Sequence, residues 1–359
     1  MSTVNVCVIG VGNCASSLVQ GVEYYTNTAG GPAGLMNAVC AGYAVSDIKF
    51  TSAFDVNASK IDRDLSKAIW AAPNNALKFA DVPHLGVPVL EGILSDGVGP
   101  NSADRIDARG RATRDDIVAH LKLTDTHVVV NFLPVGSQSA SELYAEAALR
   151  AGCAFVNCIP SVIARSAEWS RKFEDAGLPL IGDDLKSQFG ATLVHRALVD
   201  VLSKNGVQLR NTYQINSGGN MDFLNMQDAD RMQSKKASKA QGMFGAPGPG
   251  AALPAESVHV GAEYIPFLKD RKIAFIRLEA EAFGGTPFEL ELRMCVEDSP
   301  SAAGNVLDAV RYMKFAIDRG IAGVVDPVAS LLMKATPRPM SEPAALAGLR
   351  SMLDQSAAV

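Results

Sequence analysis

A glycine-rich turn follows directly on a short apolar run near the start of the chain. The stretch VIGVGNCASSLVQG, residues 8–21, places Gly10, Gly12 and Ala15 in the spacing GxGxxA. In such a turn the first glycine permits the tight bend, the second lets a phosphate approach the backbone, and the small third residue lets the helix pack closely on the strand. The pattern therefore predicts a strand, a turn and a helix whose N-terminus binds the pyrophosphate of a dinucleotide.

Further apolar runs, separated by helical patterns, continue through the first half of the chain. The predicted strands are VNVCVIG, IKFTSAFD, HVVVNFL, CAFVNCI and LPLIGDD. The helical stretch SASELYAEAALRAG ends in Gly152, as a helix commonly does. Near-continuous apolar strands that alternate with helices predict an α/β fold with a Rossmann-type, doubly wound parallel sheet. Residues 26–46 and 83–112 break this rhythm, and we predict that both are long surface insertions.

The pattern changes after about residue 187. A predicted helix at 187–206 precedes two stretches, IAFIRLEAEAFG and PFELELRMCVED, that alternate apolar with polar residues. This alternation is typical of half-buried antiparallel strands. A final long helix is predicted at 301–320. We therefore expect a dinucleotide-binding domain at 1–187, an inserted sheet-containing domain at 188–298, and a C-terminal segment at 299–359 that returns to the first domain.

Composition excludes several classes of protein. The net charge of −5 and the absence of a long basic run argue against a nucleic-acid partner. No run of about 18 apolar residues is present, so no membrane span is expected. The N-terminus enters a strand without the pattern of a signal peptide. The six cysteines form no CxxC pair, so we expect free thiols in a reducing cytoplasm, with Cys7, Cys153 and Cys295 buried in strands.

Asp55 ends the second predicted strand, in the sequence FTSAFD. A carboxylate at this place accepts hydrogen bonds from the ribose hydroxyls and favours NAD over NADP. Its distance from the glycines exceeds the usual ~20 residues, and the insertion at 26–46 accounts for the difference. The alternative is a glycine turn in an unrelated α/β fold.

The stretch LIGDDLKSQFGATL, residues 180–193, offers candidate site residues. It reads as a strand end, then Asp183 and Asp184, then Lys186 and Ser187 at a predicted helix start. Ligands of open α/β sheets bind at the carboxyl ends of the strands, and the free N–H groups of a helix start suit a phosphate. The alternative is an Asp cap followed by a solvated lysine.

Lysines, aspartates and asparagines recur in the second half. The loop NSGGNMDFLN supplies Asn220, Asp222 and Asn225, unless it is simply a turn, and Lys272, Asp298 and Lys334 lie at the ends of predicted buried elements. On a helix, Lys235 and Lys239 share a face, whereas Lys236 points about 100° away. A solvated helix face is the alternative for these three. Several lysines and aspartates without a metal motif indicate enolate chemistry.

The chain resembles a known family, myo-inositol-1-phosphate synthase, in its shorter bacterial form. The resemblance covers nearly the whole chain and is carried by GVGNCASSLVQGVEYY, AFDV, LPVGS, FVN, GDDLKSQFGAT, GGNMDFLNM, SKKASK, DRK, EDSPSAAG and LLMK, in family order. It implies a Rossmann-type domain with an inserted mixed α/β domain for catalysis and tetramerisation. It also implies a homotetramer as the working assembly.

The reaction that the resemblance implies is the conversion of D-glucose 6-phosphate to 1D-myo-inositol 3-phosphate. NAD oxidises C5 to a ketone, a base removes a proton from C6, the enolate attacks the C1 aldehyde, and the hydride returns to C5. Some bacterial and archaeal members also use a divalent metal ion, whose ligands no spacing here identifies. Two other functions stay open: an NAD-dependent dehydrogenase of the homoserine or amino-acid type, and a non-catalytic NAD-sensing protein.

The resemblance also implies roles for single residues. The catalytic set is Lys235, Lys239, Lys272, Lys334, Asp184, Asp222 and Asp298. The substrate and phosphate set is Lys186, Ser187, Gln188, Asn220 and Asn225. The cofactor set is Gly10, Gly12, Asn13, Cys14, Ala15, Asp55, Asn75, Pro134, Gly136, Ser137, Asn157, Asp183 and Ala303.

Overall fold

The computed structural model describes residues 3–28, 33–228 and 253–354. Its strands are β1 (Val4–Ile9), β2 (Val39–Cys40), β3 (Tyr43–Ala44), β4 (Ile48–Asp55), β5 (Val89–Glu91), β6 (Val128–Asn131), β7 (Ala154–Asn157), β8 (Pro179–Ile181), β9 (Gln208–Gly218), β10 (Val258–Tyr264), β11 (Arg271–Glu281), β12 (Pro287–Glu297) and β13 (Gly323–Val324). Its α-helices are α1 (Asn13–Asn27), α2 (Leu65–Ala68), α3 (Pro100–Ala103), α4 (Arg114–Leu123), α5 (Gln138–Ala151), α6 (Ala167–Asp175), α7 (Ala191–Lys204), α8 (Met221–Asn225), α9 (Asp298–Asp318), α10 (Asp326–Leu332) and α11 (Glu342–Asp354). No helix in these ranges has the length and apolar character needed to cross a membrane.

Seven strands form one parallel sheet in the order β13-β8-β7-β6-β1-β4-β5. The predicted Rossmann-type fold is confirmed, and the five predicted strands are β1, β4, β6, β7 and β8. The strand order reverses at β1, which pairs with β4 on one side and with β6 on the other. Open α/β sheets bind ligands at such a reversal, outside the carboxyl ends of the strands.

The prediction of two surface insertions is wrong in part. Residues 83–112 contain β5, which pairs with β4 at the sheet edge and buries Val89 completely. The described part of 26–46 is also anchored, because the buried guanidinium of Arg311 donates hydrogen bonds to the carbonyls of Asn37, Ala38 and Tyr43. Strands of two or three residues between glycines and prolines are too short to show a hydrophobic period.

Helices cover both faces of the parallel sheet. The long helix α9 buries Val306, Val310 and Met313 against residues of β1, β6 and β7. It begins at Asp298, three positions before the predicted start at 301. Helices α4, α5 and α6 pack on the other face around Phe155 and Phe173. Burial of these apolar side chains on both faces holds the carboxyl edge of the sheet in place.

A second sheet has the order β10-β9-β11-β12, with β9 and β10 parallel and the other pairs antiparallel. The two predicted strands are β11 and β12. Helix α7 packs on one face of this sheet. It begins at Ala191 and not at 187, because Gly190 takes the N-cap position after a turn. The division at 1–187, 188–298 and 299–359 remains a prediction.

All six cysteines are free thiols, and Cys7 and Cys153 are buried as predicted. The prediction for Cys295 is wrong, because its side chain is exposed. It lies on β12, the edge strand of the second sheet, where exposed and half-buried residues alternate. An apolar neighbourhood in the sequence does not determine which face of a strand a residue occupies.

Candidate active site

The glycine turn joins β1 to α1 at the point where the strand order reverses. Gly10 has a φ of +85°, and a Cβ there would lie 2.8 Å from the carbonyl oxygen of Phe132. Gly12 is the N-cap of α1, and a Cβ there would meet nothing within 4 Å. Gly10 is thus required by the fold, whereas Gly12 leaves open space beside the first N–H groups of the helix, which lack partners within the helix.

Gly12→Ala is expected to fold normally and to lose at least about tenfold in NAD affinity, because the new methyl group enters the space a pyrophosphate requires. The measurements are the thermal midpoint and a calorimetric titration with NAD. Gly10→Ala is the matched control, and it should lower the thermal midpoint because of its positive φ and its contact with Phe132. An unchanged NAD affinity in Gly12→Ala would contradict the assignment of the turn.

The carboxylate of Asp55 holds the glycine turn by hydrogen bonds. Its carboxylate accepts hydrogen bonds from the N–H of Val11 (2.7 Å) and the N–H of Asn57 (2.8 Å). The ammonium of Lys60 lies 3.6 Å from Asp55 and donates to the carbonyl of Val11 at 2.8 Å. A carboxylate has about four acceptor sites, so Asp55 can also accept from a ribose. No pattern in the sequence indicates a role for Lys60, because only the fold brings Asp55 and Val11 close to its ammonium.

Asp270 connects the glycine turn to the second sheet. It accepts hydrogen bonds from the amides of Asn13 (2.9 Å) and Asn220 (3.0 Å) and from the hydroxyl of Ser299 (2.8 Å). Asn13 also donates to Asn75 at 2.7 Å. Burial, together with the nearby charge of Asp298, raises the pKa of Asp270 to about 6. Sequence reasoning missed this residue, although it belongs to the motif DRK, residues 270–272, that carries part of the family resemblance.

Asp270→Asn should change how stability depends on pH. The folded state binds the Asp270 proton more readily than the unfolded state does, so the stability contribution is full below the ordinary pKa and is lost as pH rises through about 6. The wild-type advantage over the variant should therefore fall by about 1 kcal/mol between about pH 5 and pH 8. Urea unfolding at both pH values measures it. A difference that is independent of pH would show that Asp270 is ionised throughout.

Two lysine–aspartate pairs lie close to this network. The ammonium of Lys334 donates to Asp184 at 2.8 Å, and that of Lys272 donates to Asp298 at 2.9 Å. Asp184 is almost completely buried, whereas Lys272 and Asp298 each keep just under a fifth of their side-chain exposure. The pairing of β11 with β12 brings Lys272 and Asp298 together. Lys272 lies opposite Val296, and Asp298 follows Val296 by two positions.

One cavity brings most of the predicted site residues together. Its lining includes the predicted residues Gly10, Gly12, Asn13, Cys14, Asp55, Pro134, Asp184, Ser187, Asn220, Asp222, Asn225, Lys272, Asp298 and Lys334. The pKa of the Cys14 thiol is raised to about 12, first by burial and then by Asp270 and Asp298, so this thiol is protonated at neutral pH. The Oδ1 atom of Asn225 is buried and has no hydrogen-bond partner within the described ranges.

Other predicted residues lie outside the cavity lining. These are Ala15, Asn75, Gly136, Ser137, Asn157, Asp183, Lys186, Gln188 and Ala303. Asp183 is fully buried and accepts hydrogen bonds from Asn157 (2.7 Å), the N–H of Ala164 (2.9 Å) and the side chain of Arg165 (3.1 Å). In this structure Asp183 and Asn157 thus hold the loop that follows β7.

Lys235, Lys236 and Lys239 lie outside the residues that the structure describes. Within the described ranges, no group of three or more His, Cys, Asp or Glu side chains is arranged to hold a metal ion. We therefore assign no metal ligand.

A family model, two curated relatives and a solved structure all indicate the same protein family. The sequence model of the myo-inositol-1-phosphate synthase family matches residues 190–299. The inositol-3-phosphate synthase of Mycolicibacterium smegmatis is 46% identical, over 98% of each chain, and that of Corynebacterium glutamicum is also 46% identical over 98% of each. The crystal structure of a myo-inositol-1-phosphate synthase-related protein from Thermotoga maritima superposes with a TM-score of 0.80 at 25% identity, over 98% of each chain. With such similarity along almost its entire length, the chain belongs to the inositol-3-phosphate synthase family.

Proposed function

We propose that the chain converts D-glucose 6-phosphate to 1D-myo-inositol 3-phosphate, also called L-myo-inositol 1-phosphate, and uses NAD catalytically. The observation that carries this proposal is that two lysine–aspartate pairs line the same cavity as the dinucleotide turn. A simple dehydrogenase needs one acid or base beside its cofactor. An enolate that must also be directed onto an aldehyde requires several positive charges around the sugar.

The residues around the glycine turn fit a dinucleotide. Gly12 and the first N–H groups of α1 would receive the pyrophosphate, and the remaining acceptor sites of Asp55 would receive the ribose hydroxyls. Asn13 and Pro134, which also line the cavity, would flank the nicotinamide half. When bound, the cofactor supplies a hydride acceptor and donor at C5 of the sugar.

The start of α7 suits the substrate phosphate. Gly190 is the N-cap and has no side-chain cap, so the first N–H groups of this 14-residue helix are free to bind an anion. Ser187 and Thr192 line the cavity at this place. A phosphate bound here would have a fixed position relative to the second sheet. It would therefore orient the sugar toward Lys272 on β11 and toward Lys334, which follows α10.

The lysines would control charge on the sugar. A ketone at C5 makes the C6 proton acidic, and its removal leaves negative charge on the C5 oxygen. The ammonium groups of Lys272 and Lys334 would stabilise that charge and the charge that forms at O1 during ring closure. Asp298 and Asp184 keep these two ammoniums in place. Lys235 and Lys239 remain candidates for stabilising the same negative charge. Asp222 and Asn220 are candidates for binding the sugar hydroxyls.

The test is incubation of the purified protein with glucose 6-phosphate and trace NAD. The expected product carries phosphate that resists alkaline release but is liberated after periodate, and absorbance at 340 nm does not grow with turnover. NADH that accumulates in proportion to sugar consumed would establish the dehydrogenase alternative. NAD binding without turnover of glucose 6-phosphate would favour the NAD-sensing alternative.

A homotetramer is also part of the proposal. Helix α7 packs on one face of the second sheet. Phe275 on β11 is 44% exposed to solvent, and Phe283, which follows β11, is 97% exposed. Exposed aromatic side chains on one part of a surface are typical of protein interfaces. Light scattering should give four times the chain mass of 37.8 kDa. A monomer at micromolar concentration would contradict this assembly.

A further inference from the structure

Two segments of the chain, residues 183–186 and 332–335, are joined by backbone hydrogen bonds. The N–H of Lys334 donates to the carbonyl of Asp184 at 2.7 Å, and the N–H of Lys186 donates to the carbonyl of Leu332 at 2.8 Å. Ala335 and Asp183 exchange two further bonds at the other end. These bonds bring the backbone of Lys334 beside that of Asp184, so the Lys334–Asp184 pair depends on how firmly the two segments are held together.

The side chain of Lys186 reinforces this junction. Its ammonium donates to the carbonyls of Ser330 (2.6 Å) and Leu331 (3.3 Å), which belong to the last turn of α10. The last carbonyls of a helix have no hydrogen-bond donor within the helix, and they carry partial negative charge. A lysine ammonium there donates hydrogen bonds to them and also compensates that charge. The carbonyl of Lys186 is itself held by the side-chain amide of Asn305 at 2.7 Å.

We propose that Lys186 is a positioning residue, whose ammonium caps the end of α10 and thereby holds Lys334 against Asp184. The inference rests on the proposed function, because it assigns Lys334 to the reaction. It also replaces the expectation from the family resemblance that Lys186 binds the substrate phosphate.

The surroundings of Lys186 do not favour phosphate binding. Its ammonium is directed at the negative end of a helix, which would repel a phosphate dianion. Lys186 is not part of the cavity lining, whereas the adjacent Ser187 is. Ser187 and Thr192 line the cavity, whereas the ammonium of Lys186 contacts the carbonyls of Ser330 and Leu331.

Burial also makes the charge of Lys186 sensitive to pH. Desolvation, with the positive charges of Arg196 and Lys334, lowers the pKa of Lys186 to about 8, and the opposing charge of Glu342 raises it only in part. Above that pH the cap loses its positive charge and its hold on the carbonyls weakens. An arginine at the same position would stay charged throughout.

The experiment compares wild type with Lys186→Met, Lys186→Arg and a control, Lys204→Met, which removes an exposed lysine at the end of α7. In Lys186→Met we expect kcat to fall about tenfold, while KM for glucose 6-phosphate and the inhibition constant of inorganic phosphate stay within about twofold. Lys186→Arg should recover most of kcat and move its alkaline decline to higher pH. Where Lys186→Met proves unstable, Lys186→Gln removes the charge but keeps an N–H donor.

A second readout does not depend on activity. The rate of reductive methylation of Lys334, followed by peptide mass spectrometry, should rise about threefold in Lys186→Met because its ammonium is held less firmly. Failure of wild type to form inositol phosphate would refute the proposed function but leave this readout intact. A rise of fivefold or more in KM and in the phosphate inhibition constant, with kcat retained, would instead show that Lys186 binds phosphate. Unchanged kinetics together with an unchanged methylation rate would refute the positioning role.

Discussion

Lys334→Met is expected to lower kcat/KM for glucose 6-phosphate by a factor on the order of 10² to 10³, with NAD affinity unchanged. The ammonium of Lys334 lies 2.8 Å from Asp184 in the cavity, where it would stabilise negative charge on the sugar. Removing one group that stabilises such charge costs about this much in enzymes. The measurements are steady-state kinetics and a titration with NAD. Lys67→Met, which changes an exposed lysine on α2, is the control.

The same change should lower stability, because it removes the ammonium that pairs with the buried carboxylate of Asp184 at 2.8 Å. Breaking a buried pair by removing one partner typically costs about 3–5 kcal/mol. The double variant Lys334→Met/Asp184→Asn should recover much of this loss but none of the activity. Asparagine is suitable at Asp184, whose φ is +61°, because it tolerates that region. Restored activity in the double variant would mean that the pair has only a structural role.

Lys272→Met is expected to lower kcat/KM by about ten- to a hundredfold and to change stability by less than about 1 kcal/mol. The loss of activity follows from removing a charge-assisted contact with the substrate. The small effect on stability follows from the remaining exposure of Lys272 and Asp298, which lets water replace the ion pair. Kinetics and urea unfolding on the same preparation measure both quantities.

The neighbouring Arg271 provides a matched control for Lys272. Successive residues of a strand point to opposite faces, and Arg271 is exposed while Lys272 lines the cavity. Arg271→Met should therefore keep kcat/KM within about twofold. Equal losses in the two variants would indicate that the net charge of this edge, and not the ammonium of Lys272, is what the reaction needs.

Local patterns predicted a large part of this molecule. The apolar runs at β1, β4, β6, β7 and β8 are long enough to show as strands, and the glycine at the end of α5 has the left-handed conformation that a helix stop requires. The period-2 alternation predicted β11 and β12 in the second sheet. The motifs in family order identified the family, which the full-length relatives confirmed.

Local patterns failed at three places, for different reasons. The strand β5 has only three residues, and it forms because β4 offers it an edge. The start of α7 depended on a glycine N-cap that a helical apolar pattern does not mark. Cys295 is exposed because it lies on the face of β12 opposite to Leu292 and Met294, which pack in the cluster formed with α7.

The sequence by itself determined the family, the Rossmann-type fold and the residue types available for chemistry. The tertiary structure decided which of those residues meet. Asn13 and Asp270 are 257 positions apart in the sequence, and Asp184 and Lys334 are 150 positions apart. No periodicity in the sequence predicts either hydrogen bond. The structure also separated Asp184, which lines the cavity, from Asp183, which anchors a loop, and turned Lys186 toward a helix end. The physical reason is that a strand or helix period specifies only a face, whereas hydrogen-bond partners depend on which elements the fold brings against that face.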